Sequence, residues 1–178
     1  GVVANQGKDP YTSIKFSFYK SGADTSYQLS ELSSGKIESI EEVNQILTIT
    51  VIDITRNSNF SAKLIGTNPA GYSDDGQVIT GQPRKYEIKP PFVRVSLGDD
   101  RYTMLNLNIT NACQSCTYSL SNLNSGKVKS VENANGVTTI VIDEIKRNQT
   151  VKATLTGNDS YGFNDGGQEI SADPSLYE

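Results

Sequence analysis

The chain has no histidine and no tryptophan, and only two cysteines and one methionine among its 178 residues. Without histidine, Ser-His-Asp and Cys-His catalysis are excluded, as are imidazole ligation of haem or zinc and an imidazole pH switch. Two cysteines alone cannot complete a structural zinc site. The net charge is −4, the wrong sign for gripping a phosphate backbone, so no nucleic-acid partner is expected. Long apolar runs are missing too. The stretch from Ile46 to Ile54 is interrupted by Thr48, Thr50 and Asp53, so no membrane span is expected.

What the chain does have is an internal repeat at an offset of 91 residues, without a gap. Tyr27-Gln-Leu-Ser-Glu-Leu-Ser-Ser-Gly-Lys36 lies over Tyr118-Ser-Leu-Ser-Asn-Leu-Asn-Ser-Gly-Lys127. Ile54-Thr-Arg-Asn57 lies over Ile145-Lys-Arg-Asn148, and Gly71-Tyr-Ser-Asp-Asp-Gly-Gln77 over Gly162-Phe-Asn-Asp-Gly-Gly-Gln168. From Tyr11/Tyr102 to Glu87/Glu178, 28 of 77 pairs are identical, too many for chance. The pattern divides the chain into a first repeat over residues 1–87, a Pro-rich linker over 88–91 and a second repeat over 92–178. Val2 and Gly7 match Val93 and Gly98, so the sequence opens and closes at one point of the cycle. That phase predicts a piece of a longer tandem array, with Gly1 as a scar of cutting. The alternative is a complete two-domain protein matured by signal cleavage.

Alternation of apolar and polar residues marks the strands. Ile14, Phe16 and Phe18 alternate with Lys15 and Ser17, and their counterparts Leu105, Leu107 and Ile109 alternate with Asn106 and Asn108. Leu47, Ile49 and Val51 follow the same rule, as do Phe60, Ala62 and Leu64 with Val151, Ala153 and Leu155. Turn residues separate these runs. Ser34-Gly35 and Ser125-Gly126 are expected to close a hairpin, and Asn135-Gly136 is a type I′ signal whose place Asn44-Gln45 takes in the first copy. No window shows helical periodicity with caps. The expectation is an all-β protein of two tandem immunoglobulin-like β-sandwiches, about seven strands each.

The run Ile54-x-x-Asn57-x-x-Phe60-x-Ala62-x-Leu64-x-Gly66, with Ile145, Asn148, Val151, Ala153, Leu155 and Gly157 in the second copy, resembles the corner before strand F of fibronectin type III, PKD-like and other bacterial immunoglobulin-like repeats. Phe60 stands where those families usually carry tyrosine, so no tyrosine-corner hydrogen bond is expected. The resemblance implies a secreted or surface-displayed modular protein.

Several residues are candidates for chemistry. Cys113-Gln-Ser-Cys116 falls on a turn between two strands, where a short structural disulfide is the expected state; a redox pair, a metal pair and free thiols are the alternatives. Ser34-Gly-Lys36 and Ser125-Gly-Lys127 lack the upstream glycine and following Ser/Thr of a phosphate loop, and read as turns. Loop carboxylates at domain junctions can hold calcium, and Glu87, Asp159 and Asp165 would be its ligands, although their spacing fits no calcium motif and Asp-Gly is ordinary turn chemistry. Asn59, Asn108, Asn148 and Asn158 open Asn-x-Ser/Thr triplets. Tyr86, Phe92 and Tyr177 flank the repeat boundaries, and Pro90-Pro91 stiffens the junction.

These features point away from catalysis. The expected role is a structural spacer of an extracellular surface protein, an adhesin or stalk, whose partners are neighbouring repeats of the same protein. A carbohydrate- or receptor-binding sandwich is the second reading; the absence of tryptophan counts against it, and Tyr19 and Tyr161 would be its test positions. A filament subunit that lends residues 1–6 as a strand to a neighbour is the third.

Overall fold

A period of two along the sequence becomes a set of half-buried strands, because each strand shows one face to the core and one to water. The computed structural model describes residues 1–178 and contains fourteen β-strands and no helix. The chain divides into two units, Gly1–Tyr86 and Glu87–Glu178. The first unit holds β1 (Val3–Gln6), β2 (Ile14–Tyr19), β3 (Ser26–Ser30), β4 (Lys36–Val43), β5 (Ile46–Ile52), β6 (Phe60–Thr67) and β7 (Gln77–Gly81). The second holds β8 (Phe92–Leu97), β9 (Leu105–Thr110), β10 (Thr117–Ser121), β11 (Lys127–Ala134), β12 (Val137–Asp143), β13 (Val151–Asn158) and β14 (Gln168–Ala172).

In the first unit the sheets run β1-β2-β5-β4 and β3-β6-β7; in the second they run β8-β9-β12-β11 and β10-β13-β14. Every pairing is antiparallel. This four-plus-three arrangement is the ABED/CFG topology of a constant-type immunoglobulin sandwich. The register repeats at the sequence offset. Ile14 faces Val51 and Leu105 faces Ile142; Tyr27 faces Gly66 and Tyr118 faces Gly157. Even the irregularity in β4 between Ile37 and Ser39 recurs in β11 between Val128 and Ser130. Residues Val3–Gln6 pair with β2 of their own unit.

Each unit encloses its own core. In the first, Ile14, Phe16, Ile49, Val51, Ile54 and Phe60 are almost wholly buried, and the rings of Phe16 and Phe60 lie 5.6 Å apart. In the second, Leu105, Leu107, Ile109, Ile140, Ile142 and Leu155 take that role. Three phenylalanines of the first core, Phe16, Phe18 and Phe60, thus become Leu107, Ile109 and Val151. Leu47 becomes Thr138, which is fully buried with its hydroxyl between the side-chain amides of Asn111 and Asn133. A buried hydroxyl is tolerated where it has such partners.

Turn chemistry follows backbone need. The β4–β5 hairpin puts Asn44 and Gln45 at φ 52° and 64°, and the β11–β12 hairpin puts Asn135 and Gly136 at 51° and 77°. Both central residues of a type I′ turn require positive φ. Ser34-Gly35 and Ser125-Gly126 do not close a hairpin, contrary to expectation. They carry the chain from β3 to β4 and from β10 to β11, which lie in different sheets. The reason is steric and topological: Gly35 has φ 77°, and a Cβ there would stand 2.5 Å from the carbonyl oxygen of Ile52. The chain must pass against β5 to reach the opposite sheet.

Residues 88–91 are not bare connector. Ile88 packs against the second core, Pro91 is buried, and Gln168 Nε2 donates to the Pro91 carbonyl at 3.2 Å.

Candidate functional site

The two units share one polar cluster, built at the end where the chain leaves each sandwich. After β7 the chain turns back along the β1–β2 turn, with Arg84 N–H donating to the Pro10 carbonyl at 2.8 Å. The crossing from β5 to β6 puts Asn57 in the left-handed region, at φ 59°. From there its amide faces Tyr86 as a second strand would. Tyr86 N–H donates to Asn57 Oδ1 at 2.7 Å, and Asn57 Nδ2 donates to the Tyr86 carbonyl at 3.1 Å. The Tyr86 ring meets the Tyr11 ring edge-on, at 5.2 Å and 85°. The Arg56 guanidinium stands 4.4 Å from the Tyr86 ring centre and 5.9 Å from that of Tyr11. Asp9 accepts Tyr11 N–H at 3.0 Å and lies 4.0 Å from Arg56.

The second unit repeats the arrangement at the corresponding positions, with Arg101 in place of Pro10, its guanidinium 5.0 Å from the Tyr102 ring centre. Asn148, at φ 60°, brackets Tyr177 with bonds of 2.7 and 3.0 Å. Tyr102 and Tyr177 meet at 5.2 Å and 85°, with Arg147 at 3.9 Å from Tyr177 and 5.7 Å from Tyr102. Ser175 N–H donates to the Arg101 carbonyl at 2.9 Å, as Arg84 does to Pro10. Tyr102 N–H donates to Asp100 at 3.0 Å. That bond, the Thr103 hydroxyl and the charge of Arg147 hold the Asp100 carboxyl below its ordinary value. The cluster is a clasp. It fastens the outgoing segment to the β1–β2 turn and the β5–β6 crossing, using edge-to-face aromatic contact, cation–π contact and charge-assisted bonding.

The clasp is not evident in the sequence, which only places Tyr86 and Tyr177 at the repeat boundaries. A signal for it was present. Asp9/Asp100, Tyr11/Tyr102, Arg56/Arg147, Asn57/Asn148 and Tyr86/Tyr177 are identical between copies, although none of them is an apolar core position.

The candidate residues named from sequence fall elsewhere. Cys113 and Cys116 are joined in a disulfide across the turn between β9 and β10, with Cα atoms 5.2 Å apart. Cys116 N–H also donates to the Cys113 carbonyl at 3.3 Å, and Thr25 to Gly22 at 3.1 Å in the first unit, so the turn forms with or without sulfur. Beside each of these turns, a tyrosine hydroxyl accepts a backbone N–H: Tyr27 from Ser21 at 3.0 Å and Tyr118 from Ala112 at 2.8 Å. Gly66 and Gly157 make room for those rings, since a Cβ would lie 2.8 or 2.6 Å from the tyrosine Cε1.

Asp159 and Asp165 each serve a turn. Asp159 Oδ1 accepts from Tyr161 and Phe163, both at 2.9 Å, and Asp165 Oδ1 accepts from Gly167 at 2.9 Å. No three His, Cys, Asp or Glu side chains gather where they could hold a metal ion, so Glu87, Asp159 and Asp165 are not assembled as calcium ligands. Ser34 and Ser125 accept from Thr55 N–H at 3.1 Å and Lys146 N–H at 2.9 Å, tying two sheet crossings together. Lys36 pairs with Asp53 at 3.4 Å, and Lys127 with Glu144 at 3.1 Å, which raises the Lys127 pKa. Of the Asn-x-Ser/Thr positions, Asn148 belongs to the clasp and Asn108 donates to Arg94 and Ser96 of β8.

No protein-family model matches the sequence. No curated protein matches it either. Among solved structures, the chain is similar to the Yersinia pseudotuberculosis adhesin InvE, at 12% identity and a TM-score of 0.39 over 96% of this chain and 58% of that one. It is similar to Yersinia pseudotuberculosis InvD at 14% identity and a TM-score of 0.31, over 92% of this chain and 52% of that one. The chain thus spans little more than half the length of these structures.

Proposed function

We propose that the chain is a non-catalytic spacer module of an extracellular surface protein, in which successive sandwiches set reach. The observation that carries this reading is the clasp. A spacer needs each domain to hand on the chain from a fixed point, and the clasp pins the last residues of each sandwich by the same contacts in both copies. The closed antiparallel cores resist opening, and the edges are guarded: β4 carries Glu38, Glu41 and Glu42, and β11 carries Lys127, Lys129 and Glu132. Charge on an edge strand opposes pairing with another molecule. Val3–Gln6 is used within its own sheet, which disfavours the strand-lending filament.

The test is mechanical. Stretching single chains should give two unfolding events of similar contour gain, each about 300 Å for roughly 85 residues at full extension. Arg56→Ala should lower the force of one event and Arg147→Ala that of the other. One event releasing the whole chain, or force peaks indifferent to both variants, would refute the spacer reading. Specific capture of a glycan that Tyr19→Ala or Tyr161→Ala removes would favour the binding module instead.

A further inference from the structure

The first unit carries a cleft at the end opposite its clasp. It has a volume of about 400 Å³ and is lined by Gly1, Val2, Phe18, Tyr27, Leu64 and Gln77, with Asp74 and Asp75 at its rim. It opens onto Phe18 and Leu64, two residues of the first core. The second unit shows what covers the corresponding place. In repeat register those lining residues are Phe92, Val93, Ile109, Tyr118, Leu155 and Gln168. Immediately ahead of Phe92 lies Ile88-Lys-Pro-Pro91, with Ile88 against the core, Pro91 buried, and the Pro91 carbonyl accepting from Gln168.

Burial follows that difference. Phe18 is 8% exposed where Ile109 is 0%, and Leu64 is 3% where Leu155 is 0%. Tyr27 is half-buried where Tyr118 is buried, and Gln77 is exposed where Gln168 is half-buried. Gln77 and Gln168 also occupy one register position, opposite Leu64 and Leu155. The first unit therefore presents the same glutamine at the same register position, beside an apolar floor of Phe18, Tyr27 and Leu64.

We propose that this cleft is a binding site for a connector segment of apolar-Lys-Pro-Pro chemistry, entering ahead of Gly1 as Ile88–Pro91 enters ahead of Phe92. The isoleucine covers the floor, the last proline carbonyl takes the Gln77 amide, and the lysine is favoured by Asp74 and Asp75. A Pro-Pro pair has no N–H to satisfy and is already extended, so little freedom is lost on docking. Each sandwich is then completed by the connector that precedes it, and connector docking fixes the entry point as the clasp fixes the exit. The proposal rests on the tandem-spacer reading for the source of the segment, but its test does not.

The experiment adds Glu-Ile-Lys-Pro-Pro ahead of Gly1 in the full chain and compares it by NMR with a Gly-Ser extension of equal length. The expected result is chemical-shift change at Val2, Phe18, Tyr27 and Gln77. Amide exchange at Val2 and Gln77 should slow by about tenfold, within what partial burial of one isoleucine supports. Serine in place of the isoleucine, or Gln77→Ala, should reverse most of the slowing. An extension that stays disordered, or a Gly-Ser extension with the same effect, would overturn the proposal and leave the mechanical reading of the spacer untouched.

Discussion

Asn57 offers the sharpest test of the clasp, because its backbone and its side chain make separable contributions. Its φ of 59° lies where alanine is disfavoured and glycine is at ease. Its side chain makes two bonds to Tyr86, at 2.7 and 3.1 Å, both solvent-exposed. Exposed hydrogen bonds contribute near the low end of the usual range, roughly 0.5 kcal/mol each. Asn57→Gly removes both bonds and adds no backbone strain, so it should destabilise the first unit by about 1 kcal/mol. Asn57→Ala removes the bonds and adds about 1 kcal/mol of left-handed strain, for a total near 2 kcal/mol. In a unit of this size 1 kcal/mol moves the melting temperature by about 4–8 °C. Calorimetry of the full chain reads the shift, and amide exchange at Tyr86 reports whether the tail has come loose. The reasoning fails if the glycine variant melts with the wild type and keeps Tyr86 protected. It fails equally if glycine and alanine have the same effect.

Three further outcomes follow from the geometry. Gln45 sits at φ 64° where the second unit has Gly136, so Gln45→Gly should raise the stability of the first unit by about 0.5–1 kcal/mol in denaturant unfolding. Reducing the Cys113–Cys116 bond closes off no large loop, so it should weaken the second unit by no more than about 2 kcal/mol; collapse of the fold on reduction would contradict the turn's independence from sulfur. The carboxyl of Asp100 is held below its ordinary value, so its contribution is complete above the unfolded value near about 3.9 and fades as pH falls through the lower folded one. Asp100→Asn should therefore flatten the loss of second-unit stability below about pH 4 and leave its slope near neutrality unchanged.

The strands were legible because alternation is a local property. Ile14-Lys-Phe-Ser-Phe18 states its own period and its buried face, and the structure buries Ile14, Phe16 and Phe18. The β11–β12 hairpin was legible for a similar reason, since Asn135-Gly136 names the turn it makes, and the repeat carries that reading to Asn44-Gln45 between β4 and β5. Ser34-Gly35 misled because a glycine at positive φ serves a hairpin and a sheet crossing alike, and only the partners of the flanking strands distinguish them. Leu47 and Thr138 share a buried position, but one of two adjacent threonines in the Val137–Asp143 run gives no sign that Asn111 and Asn133 will meet it. The clasp was hidden by distance. Asn57 and Tyr86 are 29 residues apart, and Asp9 and Tyr11 come from the opposite end of the unit. No window along the chain contains it.

What differs between the copies is as informative as what is shared. Exchanging Phe16, Phe18 and Phe60 for Leu107, Ile109 and Val151 reshapes part of the core, while Ile49, Ile54, Leu64 and Ile79 recur as Ile140, Ile145, Leu155 and Ile170, and both cores close. Apolar packing allows this, since volume can be redistributed among neighbours at modest expense in stability. The clasp allows no such exchange. A ring edge facing a ring, a guanidinium over its face and an amide bracketing a backbone are directional, and the same residue types make these contacts in both copies. Part of the interior is therefore repacked between the copies, while the five side chains that hold the exit are the same in both. The spacer proposed above calls for that identity, because these contacts fix where the chain leaves each sandwich.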